Sequence, residues 1–396
     1  MTPGALPRGR IADIEVLRAY GVLLVLGAHA IELVPLAYWQ PFLRHVGFIG
    51  CWQGVDLFFA VSGFVIARGL LPQLGPLART GAAPAQWRAA APLLQRFWVR
   101  RAWRLWPAAW LWLALVLLAT SWPIGQAAFR AAHTNFWASV AGVFLFANLR
   151  YAVAGAHAWY YGATVTYWSL SLEEQFYLVL PPVLLLAGRF LPWLLAAGIA
   201  VQFPLARGPL ASMLRTDALM WGILIAMLER TTLFRRWEPR ALRRWPVARC
   251  VLVCGLLVVL TQVGGQSSMV HAPFQIGLVA VVSAVLVWLA SFDAGYITGA
   301  LPWPRALVVL GQRSYTLYLV HLPSFLMCAA IARAITPVPA RQAALAIGMA
   351  ALAVPVLTEL TYRYVEMPFR RAASDPVTVH SNRQKFLLLF SKRSPF

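Results

Sequence analysis

Lysine is almost missing from this chain. Of 34 basic residues only Lys385 and Lys392 are lysines, and both lie in the last dozen positions. Acids are scarce too, 13 in all, and only 12% of the 396 residues are charged. With 60% apolar residues, so few charges exclude a soluble globular enzyme, whose apolar share is roughly 45–50% and whose surface needs polar cover. The same composition excludes a disordered chain, which requires low hydrophobicity. Cysteine is limited to Cys51, Cys250, Cys254 and Cys328. No histidine or second cysteine pair stands at zinc spacing, so these four read as small buried hydrophobes and no metal is expected. There is no internal repeat of 20–50 residues and no low-complexity stretch.

What is present in excess is arginine. The net charge of +21 suggests a nucleic-acid partner, but its distribution argues against one. The arginines fall in short connections between long apolar runs, the pattern of a multi-spanning membrane protein that keeps positive charge inside. A spanning helix needs about 20 mostly apolar residues. Candidates run at 14–34, 52–71, 105–122, 168–187, 190–206, 212–229, 250–264, 273–291, 308–333 and 343–363. The first contains Arg18 and His29 and reads as a retained helix rather than a cleaved signal. Three basic zones, 72–104, 230–249 and the tail after 363, are expected to be cytoplasmic. That parity gives ten passes with both termini cytoplasmic and leaves the short run 136–148 re-entrant or interfacial. The expected fold is therefore an all-α polytopic bundle over 1–371, followed by a basic tail at 372–396.

Ionisable groups inside a bilayer are costly and usually mark a site or a buried pair. At 1.5 Å per residue, His29, Asp56, Glu173, Glu174, Asp217 and His321 are all expected in one layer of the outer half. Blander readings compete: Asp56 as a helix cap, Asp217 paired with Arg215 or another arginine, His321 as a satisfied core histidine. His29 is harder to dismiss, since a neutral imidazole at that depth suits a general base. His45, His133 and His157 fall in expected external loops. At the other membrane face Arg96, Arg100, Arg101 and Arg104 cluster before Pro107. They satisfy the inside-positive bias, or else form an anion clamp.

These residues line up with a known pattern. The segments IADIEVLRAYGVLLVLGAHA (from residue 11), GVDLFFAVSGFVI (54–66), RFWVRRAWRLWP (96–107), TYWSLSLEEQFYLVLP (166–181), RTDALMWGILIA, LGQRSYTLYLVHLP and YRYVEMPFRR occur in order to about residue 371. Together they resemble the integral-membrane acyltransferase 3 family, which O-acylates bacterial surface glycans. The departures are mild: Glu15 stands where relatives often carry Asp, and Tyr20 where a small residue is common. The resemblance implies roles. His29 matches the family's first-helix histidine, and Glu173 the acid of the WSL-x-x-E signature. Arg101 and Arg104, with Arg18, match the residues associated with an acyl-CoA donor. Asp56, Ser62, Asp217, His321 and Tyr315 are the expected supporting residues. Some relatives append a hydrolase-like periplasmic domain; without one, this member is expected to act alone or with a partner protein.

The expected activity is transfer of an acyl group, most simply acetyl, from cytoplasmic acyl-CoA to a hydroxyl of a glycan or glycolipid at the bacterial inner membrane. The acyl-CoA is a co-substrate rather than a bound cofactor. In that scheme Glu173 orients His29. An acyl-histidine intermediate is the less favoured variant. The partners are the acceptor and membrane lipid, not nucleic acid. The competing class is a transporter or flippase for a lipid-linked saccharide, against which the lack of an inverted repeat counts. Trp159, Trp168, Tyr160, Tyr161 and Tyr167 are candidate stacking faces for sugar rings, with an interfacial aromatic belt as the plainer reading.

Overall fold

A computed structural model describes residues 10–34, 38, 51–78, 84–157, 159–205, 207–263 and 273–374. Among them all regular structure is helical, as a bilayer demands of a chain whose backbone must satisfy its own hydrogen bonds. The helices run α1 (Ala12–His29), α2 (Gly54–Ala78), α3 (Pro84–Ala119), α4 (Pro123–Phe129), α5 (Ala132–Val143), α6 (Ala147–Ala156), α7 (Tyr167–Ala187), α8 (Leu191–Gln202) and α9 (Pro209–Met213). They continue as α10 (Asp217–Leu228), α11 (Thr232–Arg236), α12 (Ala241–Arg244), α13 (Pro246–Val263), α14 (Gln275–Ser291), α15 (Pro304–Gln312), α16 (Ser314–Ile335), α17 (Pro339–Thr361) and α18 (Met367–Ser374). His45 and residues 375–396, most of the expected tail, lie outside the described residues.

Eight helical stretches are long and apolar enough to cross a membrane. One of them, Tyr167–Gln202, is two passes. It breaks at a single turn over Gly188–Phe190, where Gly188 takes φ 50, and α8 then runs back along α10. Gln202 Nε2 donates to Thr216 Oγ1 at 3.2 Å, and Gly198 faces Met220. Adding α14, at 17 residues just under the length of the others, brings the apolar segments to ten, matching the expected series. The chain is thus a multi-pass membrane protein with an all-α bundle.

Three boundaries differ from expectation. The third segment begins at Pro84 rather than 105, so the arginine cluster lies within a continuous helix instead of ahead of one. The segment expected at 308–333 starts at Ser314, after the separate helix α15. The run 136–148 is divided between α5 and α6, which meet at Leu145 with φ 62. α5 has 12 residues, about 18 Å of helix, and the chain turns at Leu145 instead of continuing it.

The centre of the bundle is α2. It lies antiparallel to α1, with Gly21 against Gly54, and parallel to both α7 and α10. Ser62 meets Glu173 on α7. Arg68 meets Glu229, just past α10, at 3.1 Å. The α2–α10 contact is close because glycines form it. A Cβ on Gly63 would lie 2.1 Å from the Leu219 carbonyl oxygen, and one on Gly222 would lie 2.1 Å from that of Ala60. Small residues let helix backbones approach where no hydrophobic drive exists between them. Gly222→Ala is therefore expected to lower stability by about 1–3 kcal/mol, read from thermal unfolding in detergent micelles, while the exposed Gly255→Ala, with open space around it, leaves the melting temperature unchanged.

Candidate active site

Between α1, α2, α3, α7 and α16 lies a cleft of about 720 Å³, part of it open to solvent. Its polar lining includes Arg18, Ser62, Arg101, Arg104, Glu173 and Ser314, and its aromatic lining includes Tyr177 and Tyr318. Arg18 reaches across from α1 and donates from Nε to Ser314 Oγ at 3.1 Å. Arg101 and Arg104, three residues apart on α3, face the same space. Arg101 places its guanidinium 4.9 Å from the centroid of the Tyr177 ring, a cation–π distance. Arg104 Nε is buried with no hydrogen-bond partner among the described residues. Three guanidinium groups with one donor unspent make a binding place for an anion.

The acid in the cleft is Glu173. Both Ser62 and Tyr177 donate to its Oε1; Tyr177 follows it by one helical turn. Glu174 takes a separate bond, from Trp106 Nε1 at 2.5 Å. Tyr315 donates to the Leu105 carbonyl at 2.6 Å, which ties α16 to α3 beside the arginines. Glu366, 2% exposed, accepts from Thr316 and is brought there by a π-helical turn over Tyr362–Glu366. Such turns often mark functional positions. Tyr177, Ser314, Trp106 and Glu366 have no assigned role in the sequence reading. For Tyr177 and Glu366 the signal was present, the i+4 step from Glu173 and the YRYVEMP segment.

The second feature is a histidine pair. His29 is the last residue of α1, and its Nδ1 lies 3.0 Å from the Val25 carbonyl and 3.1 Å from His321 Nε2. His321 is fully buried, with Nδ1 3.2 Å from the Leu317 carbonyl. Carbonyl oxygens only accept, so the network assigns the protons. In the neutral pair His321 carries its proton on Nδ1 and accepts on Nε2. His29 then donates from Nδ1, and its Nε2 keeps a lone pair without a partner among the described residues. Tyr318 connects the two features. It lines the cleft, its ring lies 5.7 Å from that of His321, and its hydroxyl is 2.6 Å from Ser169 Oγ.

The single layer of six ionisable groups does not form; it separates into three. Glu173 does not orient His29. His29 Nδ1 meets the Val25 carbonyl and His321, whereas Glu173 bonds Ser62 and Tyr177. Asp56 and Asp217 are held in ion pairs. Asp56 takes both Arg215 Nε at 2.9 Å and Nη2 at 3.1 Å. Asp217 takes Arg207, with its closer contact at 2.5 Å. Arg215 also lies between the Trp52 and Trp168 rings, at 5.4 and 4.8 Å. Trp168 is thus engaged, and Tyr161 and Tyr167 are buried, so of the five aromatics expected to meet sugars only Trp159 and Tyr160 are exposed. His133 and His157 lie against Trp137 and Trp159. Among the described residues no cluster of three His, Cys, Asp or Glu could hold a metal.

A family profile described as an acyltransferase domain matches residues 11–360. The chain is 25% identical over 394 residues to the peptidoglycan O-acetyltransferase OatA of Listeria monocytogenes, covering 92% of this chain and 56% of that protein. It is 25% identical over 362 residues to the O-acetyltransferase OatA of Staphylococcus aureus, covering 81% of this chain and 53% of that one. The chain therefore spans little more than half the length of these curated relatives. No solved structure matches it.

Proposed function

The chain belongs to this acyltransferase family, and from that premise we propose that it moves an acyl group, acetyl by analogy with its relatives, from acyl-CoA to a glycan hydroxyl. The observation that carries the proposal is an arginine-lined cleft with Tyr318 in its wall, the ring of Tyr318 lying 5.7 Å from His321 of the histidine pair. Arg18, Arg101 and Arg104 supply the charges that CoA phosphates require. The acyl arm extends from there toward His29. His29 Nε2 removes the proton of an acceptor hydroxyl as that oxygen attacks the thioester carbonyl. The new C–O bond forms, the C–S bond breaks, and the departing thiolate takes up a proton to leave as CoA thiol. His321 is a positioning residue that fixes the His29 tautomer, much as a carboxylate does in hydrolytic triads. Glu173 is a positioning residue for the donor side, where it holds Ser62 and Tyr177, and Tyr177 in turn supports Arg101.

The proposed setting is a bacterial inner membrane with both termini cytoplasmic. The arginine-rich 230–249 segment, at the same end of the bundle as Ala78 and Gly188, then faces the cytoplasm and the His29 end faces outward. The test is reconstitution. The purified full chain in lipid nanodiscs, supplied with acetyl-labelled acetyl-CoA and soluble peptidoglycan fragments, is expected to release CoA thiol in step with base-labile acetate on the glycan. Thiol release unaffected by glycan, with no ester formed, overturns the reading. In the same assay Arg104→Ala is expected to raise the KM for acetyl-CoA by about 10–100-fold, the loss of one charge-assisted contact of about 1.5–3 kcal/mol, with a smaller change in kcat.

A further inference from the structure

We propose that the His29 end of the molecule carries an acceptor subsite for a carboxylate-bearing glycan, formed by Arg130, Tyr160, Glu32 and Arg333. The inference rests on the glycan-acceptor reading above and names the kind of glycan.

The backbone provides the first reason. Arg130 ends α4 at φ 58, ψ −143, a region used almost only by glycine. The surroundings impose it. The buried Asn135 donates from Nδ2 to the carbonyls of Phe129 at 2.7 Å and Ala131 at 3.0 Å, and accepts from the Ala163 N–H at 2.8 Å. One side chain thus clamps both flanks of Arg130 to the segment that follows Tyr160. A glycine would serve this turn with less strain. What arginine adds is an exposed guanidinium, 4.6 Å from the centroid of the Tyr160 ring. Beside it Trp159, 64% exposed, stacks on His157 at 4.8 Å.

Charge provides the second reason. Glu32 lies three residues beyond His29, on the short turn Ala30–Glu32. Arg130 and Arg333 both stand close enough for their charges to act on its carboxylate, and Arg130 acts on the Tyr160 hydroxyl as well. Yet none of the three charged groups closes into an ion pair within 4.0 Å among the described residues. An arginine on an exposed tyrosine ring, with an acid and a second arginine within reach of each other's charge, matches a sugar that carries an anion. Its carboxylate would take the guanidinium fork, its ring face would lie on Tyr160 or Trp159, and a hydroxyl would donate to Glu32. Such a sugar would sit within one turn of His29.

The subsite can be tested without any acyl donor. The full chain in nanodiscs of uncharged lipid is titrated with two probes, the N-acetylglucosamine–N-acetylmuramic acid disaccharide, which has a carboxylate, and chitobiose, which has none. The carboxylated probe is expected to bind at least ten-fold tighter. Arg130→Gly is expected to erase that preference while leaving the melting temperature equal or higher, because glycine suits φ 58. Tyr160→Ala is expected to weaken both probes. Equal affinity of the wild-type protein for the two probes, or a preference that survives Arg130→Gly, overturns the subsite. A clear preference in a protein that transfers no acetyl supports the subsite and removes the transferase reading; acetyl transfer with no preference does the opposite.

Discussion

Replacing His29 with alanine is expected to lower glycan O-acylation by about 10²–10⁴-fold, the usual worth of a positioned general base, with the protein still present in the membrane at its normal level. The loss should fall on kcat. The arginine-lined cleft has Tyr318 but not His29 among its lining residues, so on the proposed reading the KM for acetyl-CoA should stay close to the wild-type value. His321 offers a graded control. Its Nε2 accepts the His29 Nδ1 proton, and without it His29 Nδ1 keeps only the Val25 carbonyl as acceptor, which holds the ring less firmly in the tautomer that leaves Nε2 basic. His321→Ala should therefore give a smaller kcat loss than His29→Ala, and the double variant should be little worse than His29→Ala alone, because residues acting as one unit are not additive. Ester measured by NMR at wild-type level in His29→Ala would remove the histidine from the chemistry. Additive losses in the double variant would mean that His321 acts on its own.

The membrane passes were legible because the rule behind them is one-dimensional. An apolar run of sufficient length declares itself wherever it falls in the chain, and so α1, α2, α7, α13 and α17 lie close to their expected positions. The first half of α3 was not legible: Arg88, Arg96, Arg100, Arg101 and Arg104 look like a loop on any apolar scale, while the backbone there is continuous helix. Depth read from chain position is coarse, since it brings Glu173 to the level of His29 rather than to that of Arg101 and Arg104, and it does not say which way a side chain points around the helix axis. That is why six groups expected at one level divide among three places. The pairings that decide the site join residues far apart in sequence: Ser62 with Glu173, 111 residues away, Asp56 with Arg215, 159 away, and His29 with His321, 292 away. Nothing in local pattern reports such partners. The family resemblance picked out His29, Glu173, Arg101 and Arg104 individually, yet it did not say that Glu173 belongs with the arginines and His321 with His29.

Arg215→Ala should be the most destabilising single change at the His29 end, at about 3–5 kcal/mol. Asp56 is fully buried, and its two described partners are the two nitrogens of one guanidinium. Truncating Arg215 leaves a buried carboxylate without its bonded partner, and the nearby Arg207 is already engaged by Asp217 at 2.5 Å. It also removes the group that lies between Trp52 and Trp168, which ties the start of α2 to α7. Asp56→Ala should cost a similar amount by stranding the guanidinium. The two losses should not add. In Asp56→Leu/Arg215→Met no buried charge is left unpaired, and apolar replacement of a buried ion pair is often neutral or better, so much of the stability should return. Thermal unfolding in micelles measures this directly, and activity normalised to folded protein separates structure from chemistry. If the ion pair only fastens helices together, the double variant retains near wild-type turnover once folded. Turnover lost in that variant with its melting temperature restored would place Asp56 or Arg215 in contact with substrate.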